Sequence, residues 1–215
     1  MYKRMNEQLQ KEGAMALVTG ASSGIGLAYA RELARRGYDL LLVSNEQERI
    51  GTVAEELAAA FGVKTIPLCM DLARSEAARE LYDYCEREKL QIGILVNNAG
   101  IFFFDDLTEV APERIETMLL LHIRTVTLLC RYFGAAMKRR RAGYILNMSS
   151  LSAWTPAPGI SVYAASKSYI RKFSQMLRYE LHQYGVGVTT VCPGAIATGL
   201  YNLSDYYQRL ALRLG

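Results

Sequence analysis

The sequence has few of the residues that form disulfide bonds in small secreted proteins or that bind metals. Its four cysteines are scattered and include no C-x-x-C pair, so neither a disulfide framework nor a zinc site is expected. Its two histidines are too few for a histidine-rich metal site. This composition predicts a cytoplasmic protein, because thiols stay reduced in that compartment. The residues concerned are Cys69, Cys85, Cys130, Cys192, His122 and His182.

Long apolar runs are also missing. No run of about 18 apolar residues occurs, and the mean hydropathy is +0.04, so no membrane-spanning helix is expected. The opening segment, MYKRMNEQLQKEG, lacks the apolar stretch of a secretion signal. With 215 residues, 51% hydrophobic and 21% charged, the chain is expected to fold as one α/β domain rather than remain disordered.

No single sign of charge dominates. The net charge is +4, from 25 basic and 21 acidic residues. The densest basic run, at 138–141 (KRRR), would suit either a phosphate-rich partner or the C-terminal end of a helix, where cations complement the helix dipole. We favour the helix end, because one short run lacks the broad basic face of a nucleic-acid-binding protein. No nucleic-acid partner is therefore predicted.

Short apolar runs alternate with longer helical patterns along the chain. Strands are predicted at 14–19, 39–43, 64–70, 92–96, 144–148 and 186–192. Helices are predicted at 24–36, 46–61, 75–88, 112–140, 162–184 and 203–214. Strands that are apolar throughout indicate a parallel sheet covered on both faces. The pattern predicts one doubly wound domain with three layers (α/β/α) and about six strands. Pro67 marks an edge-like position in the third strand.

A glycine-rich turn follows the first predicted strand, in the segment TGASSGIG at 19–26. Gly20 allows a sharp turn, Gly24 lets a ligand approach the backbone, and Gly26 lets the next helix pack close to the sheet. That helix would present free N–H groups and its positive dipole end to a pyrophosphate. A plain tight turn would also contain glycine, but the position between strand and helix favours a nucleotide site.

A second motif, YAASK, begins at Tyr163 and ends at Lys167. Residues four apart share one helix face, and an adjacent ammonium can lower the pKa of a phenol by about 1–3 units from about 10. Tyr163 could then exchange protons near neutral pH. Ser150, upstream at the end of the fifth strand, could hold a substrate oxygen beside it. The alternative is a surface Tyr–Lys pair, which is common by chance.

Together these segments resemble the short-chain dehydrogenase/reductase family, in its single-domain branch. The resemblance covers nearly the whole chain. It implies a Rossmann-like fold and hydride transfer between NAD(P) and an alcohol or carbonyl carbon. The matching segments are 19–26, Asp71-Leu72, 97–100 (NNAG), Ser150, Tyr163, Lys167, Pro193-Gly194 and Thr198.

The resemblance implies roles for these residues. Tyr163 would be the general acid/base, Lys167 would lower its pKa and hold the nicotinamide ribose, and Ser150 would polarise the substrate oxygen. Ser149 and Ser152 are alternatives to Ser150, which the spacing to Tyr163 favours. The residues expected to bind the cofactor are Gly20, Ser22, Ser23, Gly24, Ile25, Gly26, Ser44, Asn45, Asp71, Leu72, Asn97, Ala99, Tyr163, Lys167, Pro193, Ile196 and Thr198.

The choice of cofactor depends on the end of the second strand, where an acidic residue would bind the 2′-hydroxyl of NAD and repel a 2′-phosphate. Ser44 and Asn45 stand there, with neither an acid to repel phosphate nor an arginine to clamp it. Because repulsion is missing, NADP(H) is predicted over NAD(H). Glu46 is the main residue against this preference.

Two departures from the family pattern affect the prediction. His122 stands where the family usually has an asparagine that supports a water chain to the lysine. It is either a substitute proton relay, since histidine titrates near neutral pH, or a packed helix histidine. The chain also ends at Gly215, so the family's seventh strand is expected to be missing and the edge of the sixth exposed. We expect a homo-oligomer.

The substrate is expected to be a small, apolar carbonyl or alcohol. Aromatic residues at 102–104 (FFF), Trp154 and Tyr201 lie on loops at the expected mouth of the site. They would either form an apolar cleft or only pack the loops. The alternative to an enzyme is a nucleotide-binding scaffold or sensor with impaired turnover, which His122 and the short C-terminus favour.

Overall fold

The computed structural model describes Leu9, residues 13–155 and residues 157–194. Within them, six strands form one sheet: β1 Met15–Thr19, β2 Leu40–Ser44, β3 Thr65–Cys69, β4 Ile92–Asn97, β5 Gly143–Met148 and β6 Val186–Val191. The α-helices are α1 Gly24–Arg35, α2 Gln47–Phe61, α3 Ala77–Arg87, α4 Pro112–Leu119, α5 Val126–Arg140 and α6 Ser161–His182. Predicted Ile196, Thr198, Tyr201 and the helix at 203–214 lie outside the described residues.

The sheet is doubly wound. Its strand order is β3-β2-β1-β4-β5-β6, and all neighbouring strands run parallel. The chain winds outward from β1 to β3, then returns to β4 and winds outward the other way. The carboxyl ends of β1 and β4 therefore form the switch point at which ligands of such folds bind. The Rossmann-like class predicted from the sequence is confirmed.

Helices cover both faces of the sheet, which explains the continuous apolar strands. Leu40 and Leu42 of β2 pack with α1 and α2 on one face, while Leu41 packs with α3, α5 and α6 on the other. All three side chains are fully buried. Burying a leucine contributes about 1.5–3 kcal/mol, so apolar residues are favoured at every position of a strand covered on both sides.

Element boundaries match the predicted ones closely, and Pro67 lies on edge strand β3. The basic run at 138–141 closes α5, as the helix-end interpretation predicted, and Arg140 donates from Nη2 to the Ile92 carbonyl oxygen at 2.6 Å. No helix in the described ranges is both long enough and apolar enough to span a bilayer.

One predicted element is different. The helix expected over 112–140 is interrupted by a π-helical turn, Leu120–Thr125, between α4 and α5. Such a turn inserts an extra residue into the helix and is frequent at functional sites. It buries His122 and Thr125, and the Thr125 hydroxyl donates to the Leu72 carbonyl oxygen at 2.8 Å. Hydrophobic periodicity does not reveal the turn, because apolar residues continue through it.

The close packing of α1 predicts opposite effects of two glycine-to-alanine changes. A Cβ at Gly26 would overlap the Gly20 carbonyl oxygen and lie 2.5 Å from Asn98 Nδ2, whereas a Cβ at Gly51 in α2 would meet nothing within 4 Å. We expect Gly26→Ala to lower the free energy of unfolding by about 1–3 kcal/mol and Gly51→Ala to raise it by about 0.5–1 kcal/mol. Urea unfolding measures both, and equal effects would contradict this packing.

Candidate active site

The turn after β1 requires glycine for two separate reasons. Gly20 and Gly24 have φ values of +63° and +54°, in the left-handed region that glycine adopts without strain. A Cβ at Gly20 would also lie 2.9 Å from the Ala99 Cα. The turn is therefore pressed against the loop that follows β4, and this contact forms the floor of a cleft.

Thr19 and Asn98 join the same two loops by hydrogen bonds. The Thr19 hydroxyl accepts from the backbone N–H groups of Asn98 and Ala99 at 2.9 and 3.0 Å and donates to the Val96 carbonyl oxygen at 3.3 Å. In return, Asn98 Nδ2 donates to the Thr19 carbonyl oxygen at 3.0 Å. Sequence analysis included both residues in its motifs but did not predict either as a site residue.

The N-terminus of α1 opens into the cleft. Ser23 is its N-cap residue, and no side chain among the described residues caps the helix there. No acidic residue occupies its first turn, and Ser22, Gly24 and Ile25 line the cleft beside it. Uncapped N–H groups at the positive end of a helix suit an anion. These residues therefore fit the pyrophosphate of a dinucleotide cofactor.

The cleft has a volume of about 540 Å³, within the usual range of about 300–1,000 Å³ for small-molecule sites. Most of the residues predicted from the sequence to bind the adenosine and phosphate parts of a cofactor line it. It is lined by Gly20, Ser22, Ser23, Gly24, Ile25, Val43, Ser44, Asn45, Glu46, Arg49, Met70, Asp71, Leu72, Asn98, Ala99, Gly100, Ile101, Phe102 and Leu121.

Five described residues predicted to bind the cofactor do not line this cleft: Gly26, Asn97, Tyr163, Lys167 and Pro193. Asn97 Nδ2 instead donates to Asn147 Oδ1 at 2.8 Å and to Cys130 Sγ at 3.4 Å, inside the helix-covered layer. Since side chains alternate along a strand, Asn97 faces the interior, and the loop residues after it reach the cleft. Gly26 lies beneath the turn and supports it. Sequence alone did not show which way Asn97 points.

A chain of polar groups occupies the cleft near the end of β2. Ser44 Oγ donates to Ser22 Oγ at 2.9 Å, and Ser22 Oγ donates to Glu46 Oε2 at 2.5 Å. Arg49 Nη1 lies 3.7 Å from Glu46 Oε1. The sequence analysis expected no arginine here. The structure corrects this, because the first turn of α2 brings Arg49 to the cleft one turn after Glu46.

Lys167 and Tyr163 lie on α6, beyond the carboxyl end of β5. Lys167 Nζ donates to the Met148 carbonyl oxygen at 3.0 Å and is 5.6 Å from the centre of the Tyr163 ring. Both side chains are buried. Burial lowers the pKa of Lys167 from 10.5 to about 8, because an apolar environment disfavours the charged form. The Phe102 and Tyr163 rings pack edge to face, 5.0 Å between centroids, and Phe102 also lines the cleft.

The structure distinguishes the serines that follow β5. Ser149 Oγ donates to the Lys167 carbonyl oxygen at 2.7 Å, so its hydroxyl is committed to α6. Ser150 Oγ accepts from the Ser152 N–H at 3.2 Å, and its hydrogen has no acceptor in the described part of the chain. The backbone here is tied to the segment after β6, since Leu151 N–H donates to the Pro193 carbonyl oxygen at 2.9 Å. This favours Ser150 as the donor to a substrate oxygen.

His122 is buried and hydrogen-bonded through both ring nitrogens. Ile101 N–H donates to Nε2 at 3.0 Å, and Nδ1 lies 2.9 Å from Ser166 Oγ. Burial lowers the pKa of His122 well below 6.5, and the Lys167 ammonium lowers it further. A relay that titrates near neutral pH would need a pKa near 6.5, so the structure favours the packed interpretation.

The aromatic residues expected at the mouth divide into two groups. Phe103 is buried with Val110 and Met118, so it packs the loop. Phe104 is 63% exposed and Trp154 53% exposed, and the Arg171 guanidinium lies 4.5 Å above the indole. Phe102, Phe104 and Trp154 are therefore the residues that could present an apolar surface to a ligand.

Comparison with known proteins agrees with this geometry. A model of the short chain dehydrogenase family matches residues 14–205. The chain belongs to the short-chain dehydrogenase family. It is 37% identical over 199 residues to the very-long-chain 3-oxoacyl-CoA reductase of Anas platyrhynchos, covering 89% of this chain and 62% of that protein.

One further relative is named as inactive, and another was solved with NADPH. The inactive hydroxysteroid dehydrogenase-like protein 1 of Homo sapiens is 32% identical over 206 residues, 94% of this chain and 61% of that protein. The chain thus spans about three fifths of the length of both relatives. A short-chain dehydrogenase of Sphingobium yanoikuyae, solved with NADPH, is 34% identical with a TM-score of 0.84, covering 88% of this chain and 73% of that one.

The buried ammonium predicts that removing Lys167 stabilises this short-chain dehydrogenase. Its pKa of about 8 in the folded state lies below that in the unfolded chain, so the cost of burying the charge is complete below pH 8 and is relieved as the pH rises towards 10.5. We expect Lys167→Met to raise the free energy of unfolding at pH 7 by about 1–2 kcal/mol, and by less at pH 10.

Urea unfolding at both pH values measures this difference. Lys172→Met, which removes an exposed lysine from the same helix, is the matched control and should show little change at either pH. A Lys167→Met variant that is less stable than the parent at pH 7, or whose advantage grows with pH, would contradict the account.

Proposed function

We propose that the chain is an oxidoreductase that transfers a hydride between NADP(H) and the carbonyl or alcohol carbon of a small, apolar substrate. The observation that carries the proposal is the buried pair of Tyr163 and Lys167, held beside a cleft into which the uncapped N-terminus of α1 opens. Family membership supports it, since the 37%-identical relative is named as a reductase.

In this proposal the cofactor supplies or accepts the hydride, and the protein handles the proton and the orientation. Tyr163 donates a proton to the carbonyl oxygen during reduction and accepts one during oxidation. Lys167, fixed by its bond to the Met148 carbonyl oxygen, stabilises the phenolate form of Tyr163. Ser150 holds the substrate oxygen. The Phe102 ring against Tyr163 limits access of water, which strengthens the interaction between ammonium and phenolate.

The role of Tyr163 predicts a large loss of turnover in Tyr163→Phe. We expect kcat to fall by about 100-fold or more, while the dissociation constant of NADPH stays within about twofold, because the ring still packs against Phe102. Oxidation of NADPH with a panel of apolar ketones, together with calorimetric binding, measures both quantities. Unchanged turnover in the variant would refute Tyr163 as the acid/base.

The preference for NADP(H) is supported by two observations. Arg49 gives the cleft a cation near the end of β2, where a ribose 2′-phosphate would lie, and the Sphingobium relative was solved with NADPH. Glu46 opposes the preference, because its carboxylate lies in the same part of the cleft. We propose that phosphate binding is still favoured, since Arg49 partly neutralises that carboxylate and the Ser22 hydroxyl donates a hydrogen bond to one of its oxygens.

This balance predicts that two substitutions, each of which removes one charge, change the affinity for NADPH in opposite directions. Arg49→Gln should weaken NADPH binding by about two- to fivefold and leave NADH binding unchanged, as expected when one partly exposed charge interaction is removed. Glu46→Gln should strengthen NADPH binding by a similar factor. Fluorescence titrations with both cofactors measure these constants. Tighter binding of NADH than of NADPH by the parent protein would overturn the preference.

An apolar substrate is proposed from exposed aromatic rings on the loops that follow β4 and β5. Phe104 and Trp154 are more than half exposed, and apolar surface beside converging polar groups is typical of ligand sites. The names of the relatives point to acyl thioester and steroid substrates, whose acyl chain and ring system are apolar. Comparing kcat/KM for ketones of increasing chain length tests this choice.

A second candidate function is a cofactor-binding scaffold or sensor with impaired turnover. It is favoured by the relative named as inactive, which is 32% identical over 94% of this chain. The same assay separates the two proposals, because a scaffold would bind NADPH, oxidise none with any carbonyl, and be insensitive to Tyr163→Phe.

The proposal also includes a cytoplasmic location and a homo-oligomer. The four free cysteines favour a reducing compartment, and among the described residues β6 is an end strand of the sheet, where strands can associate. Analytical ultracentrifugation of the full chain measures the oligomeric state.

A further inference from the structure

His122 connects the cofactor cleft to the helix that carries Tyr163. On one side, Ile101 N–H donates to His122 Nε2 at 3.0 Å. On the other, His122 Nδ1 lies 2.9 Å from Ser166 Oγ, and Ser166 Oγ donates to the Tyr163 carbonyl oxygen at 2.7 Å. A continuous chain of three hydrogen bonds therefore runs from the cleft lining to the backbone of Tyr163.

The directions of these bonds fix the tautomer of the imidazole. Nε2 accepts from a backbone N–H, so it carries no proton. The Ser166 hydrogen points to the Tyr163 carbonyl oxygen, so Ser166 Oγ accepts from the imidazole, and the proton of His122 is on Nδ1. Protonation at Nε2 would set two donors against each other and break the bond to Ile101.

The surroundings of the ring also hold it neutral. His122 is 1% exposed, and in the described residues it faces the Lys167 ammonium and the Tyr163 ring, both on α6. The centroid of that ring lies 5.9 Å from the centroid of the imidazole. A second cation beside Lys167 would be repelled, so the neutral, bridging form is the stable one.

The bridge also sets the position of the loop that lines the cleft. A Cβ built at Gly100 would lie 3.1 Å from His122 Nε2 and 3.7 Å from Lys167 Nζ. Gly100 thus packs closely against both the imidazole and the ammonium. His122 itself belongs to the π-helical turn Leu120–Thr125, a type of turn that is frequent at functional sites.

We infer that His122 is a positioning residue that fixes the loop at 98–101 relative to Tyr163 and does not transfer protons in the reaction. This inference rests on the proposed function, because the position of the loop relative to Tyr163 affects the reaction only if Tyr163 is the acid/base. One neutral imidazole would thereby couple the binding of the cofactor to the position of the acid/base.

Three variants separate the two halves of the bridge. His122→Gln keeps an acceptor at about the reach of Nε2, whereas His122→Phe keeps the ring shape without an acceptor. Ser166→Ala breaks the half of the bridge on α6. Its matched control is Ser174→Ala, because Ser174 Oγ also donates to a carbonyl oxygen of α6, that of Ile170, at 2.7 Å but lies outside the bridge.

The measurements are amide hydrogen exchange at Ile101, the dissociation constant of NADPH, and the pH dependence of kcat. We expect His122→Phe to speed exchange at Ile101 and to weaken NADPH binding, each by about tenfold or more, and His122→Gln to keep both within about threefold of the parent. Ser166→Ala should lower kcat more than Ser174→Ala does. In every variant the acid limb of the pH profile should stay at the same pH.

Two results would overturn the inference. One is a His122→Phe variant in which amide exchange at Ile101 and the affinity for NADPH are both unchanged. If that variant does not fold, an equal kcat in Ser166→Ala and Ser174→Ala would overturn the inference instead. The other is loss or displacement of the acid limb in His122→Gln, which would show a proton relay. A parent protein that turns over no carbonyl would contradict the proposed function alone, because exchange and NADPH binding still test His122.

Discussion

The close approach of two backbone loops is the constraint on which the rest of the site depends. The turn at Gly20 lies against Ala99 so closely that a Cβ would be 2.9 Å from its Cα. The approach is possible because β1 and β4 are neighbouring parallel strands at the switch point of the sheet. Thr19 and Asn98 hold it with reciprocal hydrogen bonds. Because the two loops are locked together, the cleft is formed by the fold itself, and the N-terminus of α1 faces it in a fixed direction.

The other half of the site is built around a buried charge. Lys167 is surrounded by protein, and burial lowers its pKa to about 8, so we expect an apolar side chain at this position to be more stable than the ammonium. Such destabilising residues are typical of functional sites. The charge lies beside Tyr163, so in the proposed reaction the ammonium that is costly to bury also stabilises the phenolate form of Tyr163. His122 stays neutral beside this charge and in contact with the loop at 98–101, so the two halves are joined without adding a second cation.

Sequence reasoning predicted the fold well, because its signals were local. Apolar runs buried on both faces, together with glycine turns, identified all six strands of the sheet. It did less well wherever three-dimensional placement decided the outcome. The direction of Asn97 depends on the alternation of side chains at the end of β4, and the arrival of Arg49 at the cleft depends on the angle at which α2 leaves β2. The π-helical turn around His122 preserves the apolar pattern, so periodicity could not reveal the turn or the partners of the imidazole.

The central claim is that the cleft and the Tyr163–Lys167 pair act together in hydride transfer. Deuterium transfer tests this most directly. The full chain would be incubated with NADPH carrying two deuterium atoms at C4 of the nicotinamide, together with a panel of apolar ketones, and the products would be analysed by mass spectrometry. The account predicts an alcohol product that carries one deuterium on its carbinol carbon. NADPH that binds tightly but passes no deuterium to any ketone would contradict it.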